Sequence, residues 1–144
     1  MESDVATERT PEGRRLIVAR GVDAPREAAW DLLTDTTRWP DWGPSVRAVE
    51  CDRRFIQPGT TGRVRLPGGV RLPFEIATCG EYRWTWQVAR VPATGHRVDP
   101  PADGTGTERC RVVFEIPLLA AGYAPVCMRA LGRIASLLEE EHSC

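Results

Sequence analysis

The stretch "YRWTWQVARV" (82–91) sets Tyr82, Trp84, Trp86 and Val88 at alternate positions, so one face of a strand carries three aromatic rings. Arg83, Thr85, Gln87 and Ala89 take the other face. Three roles are open to such a surface. It walls a ligand cavity, where indoles supply area, rigidity and an N–H donor. Or it packs as plain core. Or it points outward into a dimer or membrane surface, leaving Arg83 and Gln87 to line the interior.

His96, in "TGHRVDP" (94–100), shares a strand face with Val98. An imidazole titrates near neutrality, so in an apolar cavity it would donate to a ligand carbonyl or act as a general acid or base. It is the single weak catalytic candidate; the competing reading is a buried neutral ring bonded to a neighbour. Arg63, Arg65 and Arg83 alternate with apolar residues as the solvated face of strands does. One turned inward would hold a carboxylate or enolate. Glu75 takes the outward parity, and no spacing forces two carboxylates together.

Other chemistries lack their residues. There is no Cys-x-x-Cys and no His/Cys cluster, so no metal site is expected. "GTGTER" (104–109) lacks the third glycine of a dinucleotide loop and precedes a strand. Gly-x-Ser-x-Gly is absent, and only four serines occur. A formal net charge of −1 gives no basic patch for nucleic acid. Five scattered cysteines read as free thiols of a cytoplasmic protein. All basic residues are Arg, and neither Lys nor Asn occurs, the mark of a GC-rich prokaryotic genome.

The elements that must position these groups follow from pattern. Residues 1–13 are acidic and polar and read as a disordered tail without the apolar core of a signal peptide. A strand is expected over 15–22. "DAPREAAWDLLTD" follows, with Pro25 suited to a first helical turn. A second helical turn holds "RWPDW" (38–42), which places Trp39 and Trp42 on one side as plugs of the core or ligand contacts. Strands are expected over 45–54, 61–67, 70–79, 82–91, 94–100 and 107–117, with tight turns at "PGGV" (67–70) and "PPADGTG" (100–106). Ala124, Cys127, Leu131, Ile134 and Leu138 form the stripe of a terminal helix over 122–141. No apolar run is long enough to span a membrane. The class is α+β, an antiparallel sheet of about six to seven strands with helices on one face.

The order of elements, with "VDAPREAAWDLLTDTTRWPDWGPSV", "GHRVDP", "GTGTERCRVVFEI" and the terminal helix, resembles the START-like helix-grip superfamily, nearest its polyketide cyclase/dehydrase and lipid-transport branch. The resemblance covers residues 14–141 and implies a single ligand-binding domain in which a curved sheet wraps the C-terminal helix. It implies a hydrophobic or aromatic small molecule (lipid, quinone or polyketide class) held between sheet and helix, and no cofactor. The contacts expected are Trp39, Trp42, Phe74, Tyr82, Trp84, Trp86, His96, Phe114 and Leu131. Two other readings remain: a cyclase or dehydratase using the same cavity with His96 moving protons, and a homodimeric interaction module.

Overall fold

A computed structural model describes residues 3–101, 104, 106 and 108–142. Strands β1 (Ser3–Thr10), β2 (Gly13–Val22), β3 (Ala48–Glu50), β4 (Thr61–Arg65), β5 (Arg71–Gly80), β6 (Arg83–Val88), β7 (Val91–Asp99) and β8 (Cys110–Pro117) form one antiparallel sheet, ordered β1-β2-β8-β7-β6-β5-β4-β3. Helices α1 (Arg26–Thr34) and α2 (Trp39–Trp42) follow β2, and the long α3 (Ala124–His142) ends the described chain. Register breaks in β5 at Ile76/Thr78 and between β6 and β7 at Thr85/Gln87 are the irregularities that bend such a sheet.

α3 lies in the concave face. Cys127, Leu131, Ile134 and Leu138 are buried there against the inward residues of the sheet, among them Val18, Ile76, Val112 and Ile116. Arg129, Arg133 and Ser136 face outward, as the helical period requires.

The convex face is closed by charge. Glu115, between Phe114 and Ile116, takes the outward parity of β8 yet is 1% exposed. Arg83 reaches its Oε1 at 2.6 Å and Arg97 its Oε2 at 2.8 Å. Burial pushes the carboxyl pKa up, but these two guanidinium groups outweigh it and hold the carboxyl below its ordinary range. Arg83 continues to Glu12, and Arg97 to Glu8 at 3.0 Å, which ties the β1–β2 hairpin across the sheet. Gly95 admits the carboxylate: a Cβ there would lie 2.6 Å from Glu115 Oε1.

Several expectations are corrected. The tail expected over residues 1–13 is, over Ser3–Thr10, an edge strand paired with β2 from Ser3↔Arg20 to Thr10↔Gly13. Its polar sequence serves the ionic layer, not an apolar core. The strand expected over 45–54 shortens to Ala48–Glu50, because the following residues leave the sheet to bond the end of α1 (Thr36 N–H to Arg54 O, 2.7 Å; Ile56 N–H to Thr34 O, 3.1 Å). The strand expected over 82–91 is cut at both ends by two-residue turns, Glu81-Tyr82 and Ala89-Arg90, all four at positive φ. With β1 added, eight strands stand where six to seven are expected. Residues 1–2 of the expected tail, and residues 102, 103 and 105 of the expected turn over 100–106, lie outside the described residues.

α2 fills the space between sheet and helices. Trp39 is 2% exposed and packs on Phe74, Trp84 and Trp86 with ring centroids 5.3–5.4 Å away. Trp39→Ala should cost about 3–5 kcal/mol, the range for removing a buried aromatic. Urea unfolding followed by far-UV circular dichroism measures it. Trp39→Phe should recover only part, since it restores ring packing but not the N–H.

Candidate functional site

The site is built from the end of α1. A helix leaves its last carbonyls unpaired, and here two indoles satisfy them: Trp39 Nε1 donates to Leu33 O at 2.9 Å, and Trp42 Nε1 to Leu32 O at 3.2 Å. The chain turns sharply enough because Asp35 accepts from Thr37 N–H at 3.0 Å and pairs with Arg54, while Pro40 suits the first turn of α2. "RWPDW" is thus a plug whose donors face back into the protein.

Beneath the plug the rings of Trp39, Trp84 and His96 stack. Trp39 and Trp84 lie 5.3 Å apart at 4°, and Trp84 and His96 3.8 Å apart at 20°. Phe114 meets His96 edge-on at 4.9 Å. Trp86 Nε1–H donates to Thr94 Oγ1 at 3.1 Å, and Thr94 Oγ1 lies 2.9 Å from His96 Nε2. The Thr94 hydroxyl thus accepts from Trp86 and shares a second hydrogen bond with the imidazole of His96, joining the two rings. Burial drives the His96 pKa down to about 3; the Trp84 backbone and Glu115 oppose it, and the charges of Arg15 and Arg83 add smaller downward contributions. The ring is neutral at physiological pH, with its Nε2 bonded to Thr94. Trp84 Nε1 and His96 Nδ1 are buried without a hydrogen-bond partner of ordinary geometry.

Two adjoining spaces remain. An inner pocket of about 50 Å³ is lined by Trp39, Trp42, Trp84, His96, Phe114 and the α3 residues Val126, Cys127 and Ala130. That holds on the order of three waters. Outside it runs an apolar groove of about 350 Å³ lined by Val64, Leu66, Leu72, Trp86, Val88, Val91 and Ala120. Ser45, Val46, Trp86, Thr94 and Tyr123 border both, and a 2.7 Å hydrogen bond between Ser45 Oγ and Tyr123 Oη spans the boundary. A wider groove of about 620 Å³ on the convex side carries Glu50, Arg63, Glu75 and Arg90 and gives an apolar molecule no enclosing surface.

Of the residues expected from sequence, Trp39, Trp42, Trp84, Trp86, His96 and Phe114 converge on the inner pocket. Phe74 and Leu131 pack in the core without lining it or the apolar groove. Tyr82 lies in a turn at the other end of β6, where it meets Trp30, Arg26 at 3.9 Å and Glu27. The outward aromatic face is overturned, since Trp84 is 0% exposed and Trp86 half-buried over the groove. Ser45, Thr94 and Tyr123 were missed by sequence; only the alternation of Thr94 with His96 could have marked one of them. Among the described residues no group of three or more His, Cys, Asp or Glu could hold a metal ion, and no helix is long and apolar enough to cross a membrane.

A curved antiparallel sheet gripping a C-terminal helix, with its pocket between them, defines a helix-grip protein of the START-like class. Residues 14–139 match the family model described as polyketide cyclase / dehydrase and lipid transport, and the chain belongs to that family. The fold is similar to that of the Zhui aromatase/cyclase from Streptomyces sp. R1128 (TM-score 0.66, 12% identity, covering 99% of this chain and 98% of that one). It is also similar to a Rhodobacter sphaeroides protein (TM-score 0.64, 19% identity, 96% and 99% covered) and to XoxI from Bacillus cereus (TM-score 0.66, 14% identity, 88% and 97% covered). No curated protein matches the sequence.

The buried imidazole sets a pH dependence. Its folded pKa of about 3 lies below the roughly 6.5 of an unfolded histidine, so on acidification the unfolded chain binds the proton first. The neutral ring's contribution is complete above about pH 6.5 and is lost as pH falls toward 3. Between about pH 7 and about pH 5 the loss should be about 2 kcal/mol. Urea midpoints of wild type and His96→Gln at both pH values isolate it, because the shared carboxylates cancel in the difference.

Proposed function

We propose that the protein binds and carries a hydrophobic small molecule of the lipid, quinone or polyketide class. Its apolar body lies in the groove over Trp86, and only a small terminal group enters the inner pocket. The observation that carries this reading is the groove itself: about 350 Å³ lined almost wholly by aliphatic and aromatic side chains, and adjoining the inner pocket that Trp84 and His96 line. The aromatic plug occupies the deep volume and leaves no room there for a fused ring system, so the ligand is long and narrow, or lies mostly outside the grip.

A carrier is favoured over a cyclase or dehydratase by the state of His96. A proton shuttle needs a pKa near neutrality. This ring has its Nε2 bonded to Thr94 and a pKa near 3.

Titration with a fluorescent fatty acid and with a short-chain ubiquinone tests the reading. Saturable binding is expected for at least one of them. Leu72→Asp, which puts a carboxylate on the half-exposed groove wall, should weaken it at least about tenfold by burying an unpaired charge under the ligand, with circular dichroism unchanged. Equal affinity of wild type and variant would place the ligand elsewhere.

A further inference from the structure

The antiparallel order puts certain turns at one end of the sheet. The β4–β5 turn, the β6–β7 turn and the β8–α3 connection all lie where the apolar groove opens. From these three turns project Val70 (51% exposed), Val91 (62%), Leu118 (49%) and Leu119, which is fully exposed. Four aliphatic side chains on three loops around one opening are more than scattered surface residues explain.

The same end is basic. Arg47, Arg65 and Arg90 stand at the start of β3, the end of β4 and the β6–β7 turn, with no ion-pair partner among the described residues. Arg71 beside them is paired with Glu50, while the nearby Glu8 and Glu12 are held by Arg97 and Arg83. At the opposite end Glu139, Glu140 and Glu141 close α3, and there acids and arginines pair, Glu141 with Arg38 and Asp23 with Arg109.

We propose that this end docks on an anionic lipid bilayer, with Leu119, Leu118, Val91 and Val70 entering the interfacial region and the three arginines meeting lipid phosphates. Apolar insertion combined with basic charge is what retains a protein at such a surface. A bilayer suits the residues better than a protein partner does. They protrude from separate turns instead of forming one continuous face, and none is an aromatic anchor of the kind protein interfaces favour. Docking this way would open the groove directly onto the acyl chains.

Co-sedimentation with phosphatidylcholine vesicles, with and without phosphatidylglycerol, tests it. Wild type should pellet with the anionic vesicles, less so as salt is raised, and not with the neutral ones. Leu119→Asp and the double variant Arg47→Glu/Arg90→Glu should each weaken binding about tenfold or more. The groove variant Leu72→Asp should still pellet, which separates docking from ligand binding. Wild type left in the supernatant with anionic vesicles overturns the proposal. So does binding indifferent to Leu119→Asp, or a concentration-dependent dimer in sedimentation velocity that Leu119→Asp abolishes, which would give the patch to a second copy of the chain.

Discussion

Two hydrogen bonds from indole nitrogens to the last carbonyls of α1 hold the interior together. Without them the helix end would bury unpaired acceptors, each a cost of about 1–3 kcal/mol. With them, Trp39 and Trp42 are fixed at both ends: nitrogen on the helix, ring against the sheet. The positions of Trp84, Trp86, His96 and Phe114 follow from that anchoring, because each packs on one of the two plug rings or on its neighbour. One short element thus decides both how the grip closes and how little space it leaves.

That choice moves the binding surface outward. The fold's interior cavity is filled with aromatic side chains, while an apolar groove persists at the rim between the hairpin turns and the segment before α3. The convex face meanwhile is sealed by ions. A wholly buried carboxylate shared by two arginines is favourable only with its hydrogen bonds complete, and Gly95 and the β1–β2 hairpin provide the clearance and the second layer of acids.

The architecture was largely legible. Period-two runs located most strands, the three- and four-residue stripe located α3, and "RWPDW" placed the plug. What escaped notice had no local signal. β1 is polar because its partners are arginines from strands far away in the chain, a complement invisible within its own eight residues. The turns Glu81-Tyr82 and Ala89-Arg90 use a left-handed backbone without the Gly or Asn that usually announces it, so Tyr82 was read into a strand it only precedes. At the site, the aromatic residues were visible by type. Ser45 and Tyr123 were not, since their pairing joins segments 78 residues apart.

The ring cluster has an optical consequence. Trp39, Trp84 and Trp86 lie within 5.5 Å of one another, and the first two are nearly parallel. At such separations excitation is shared among the rings. Near-ultraviolet dichroism should carry an exciton signature, and emission will report the whole cluster instead of any single side chain. Trp30, half-buried against Tyr82 at the far end of the sheet, stands outside that group. The protein therefore contains two chromophoric populations, one coupled within the gripping interior and one beside the β5–β6 turn.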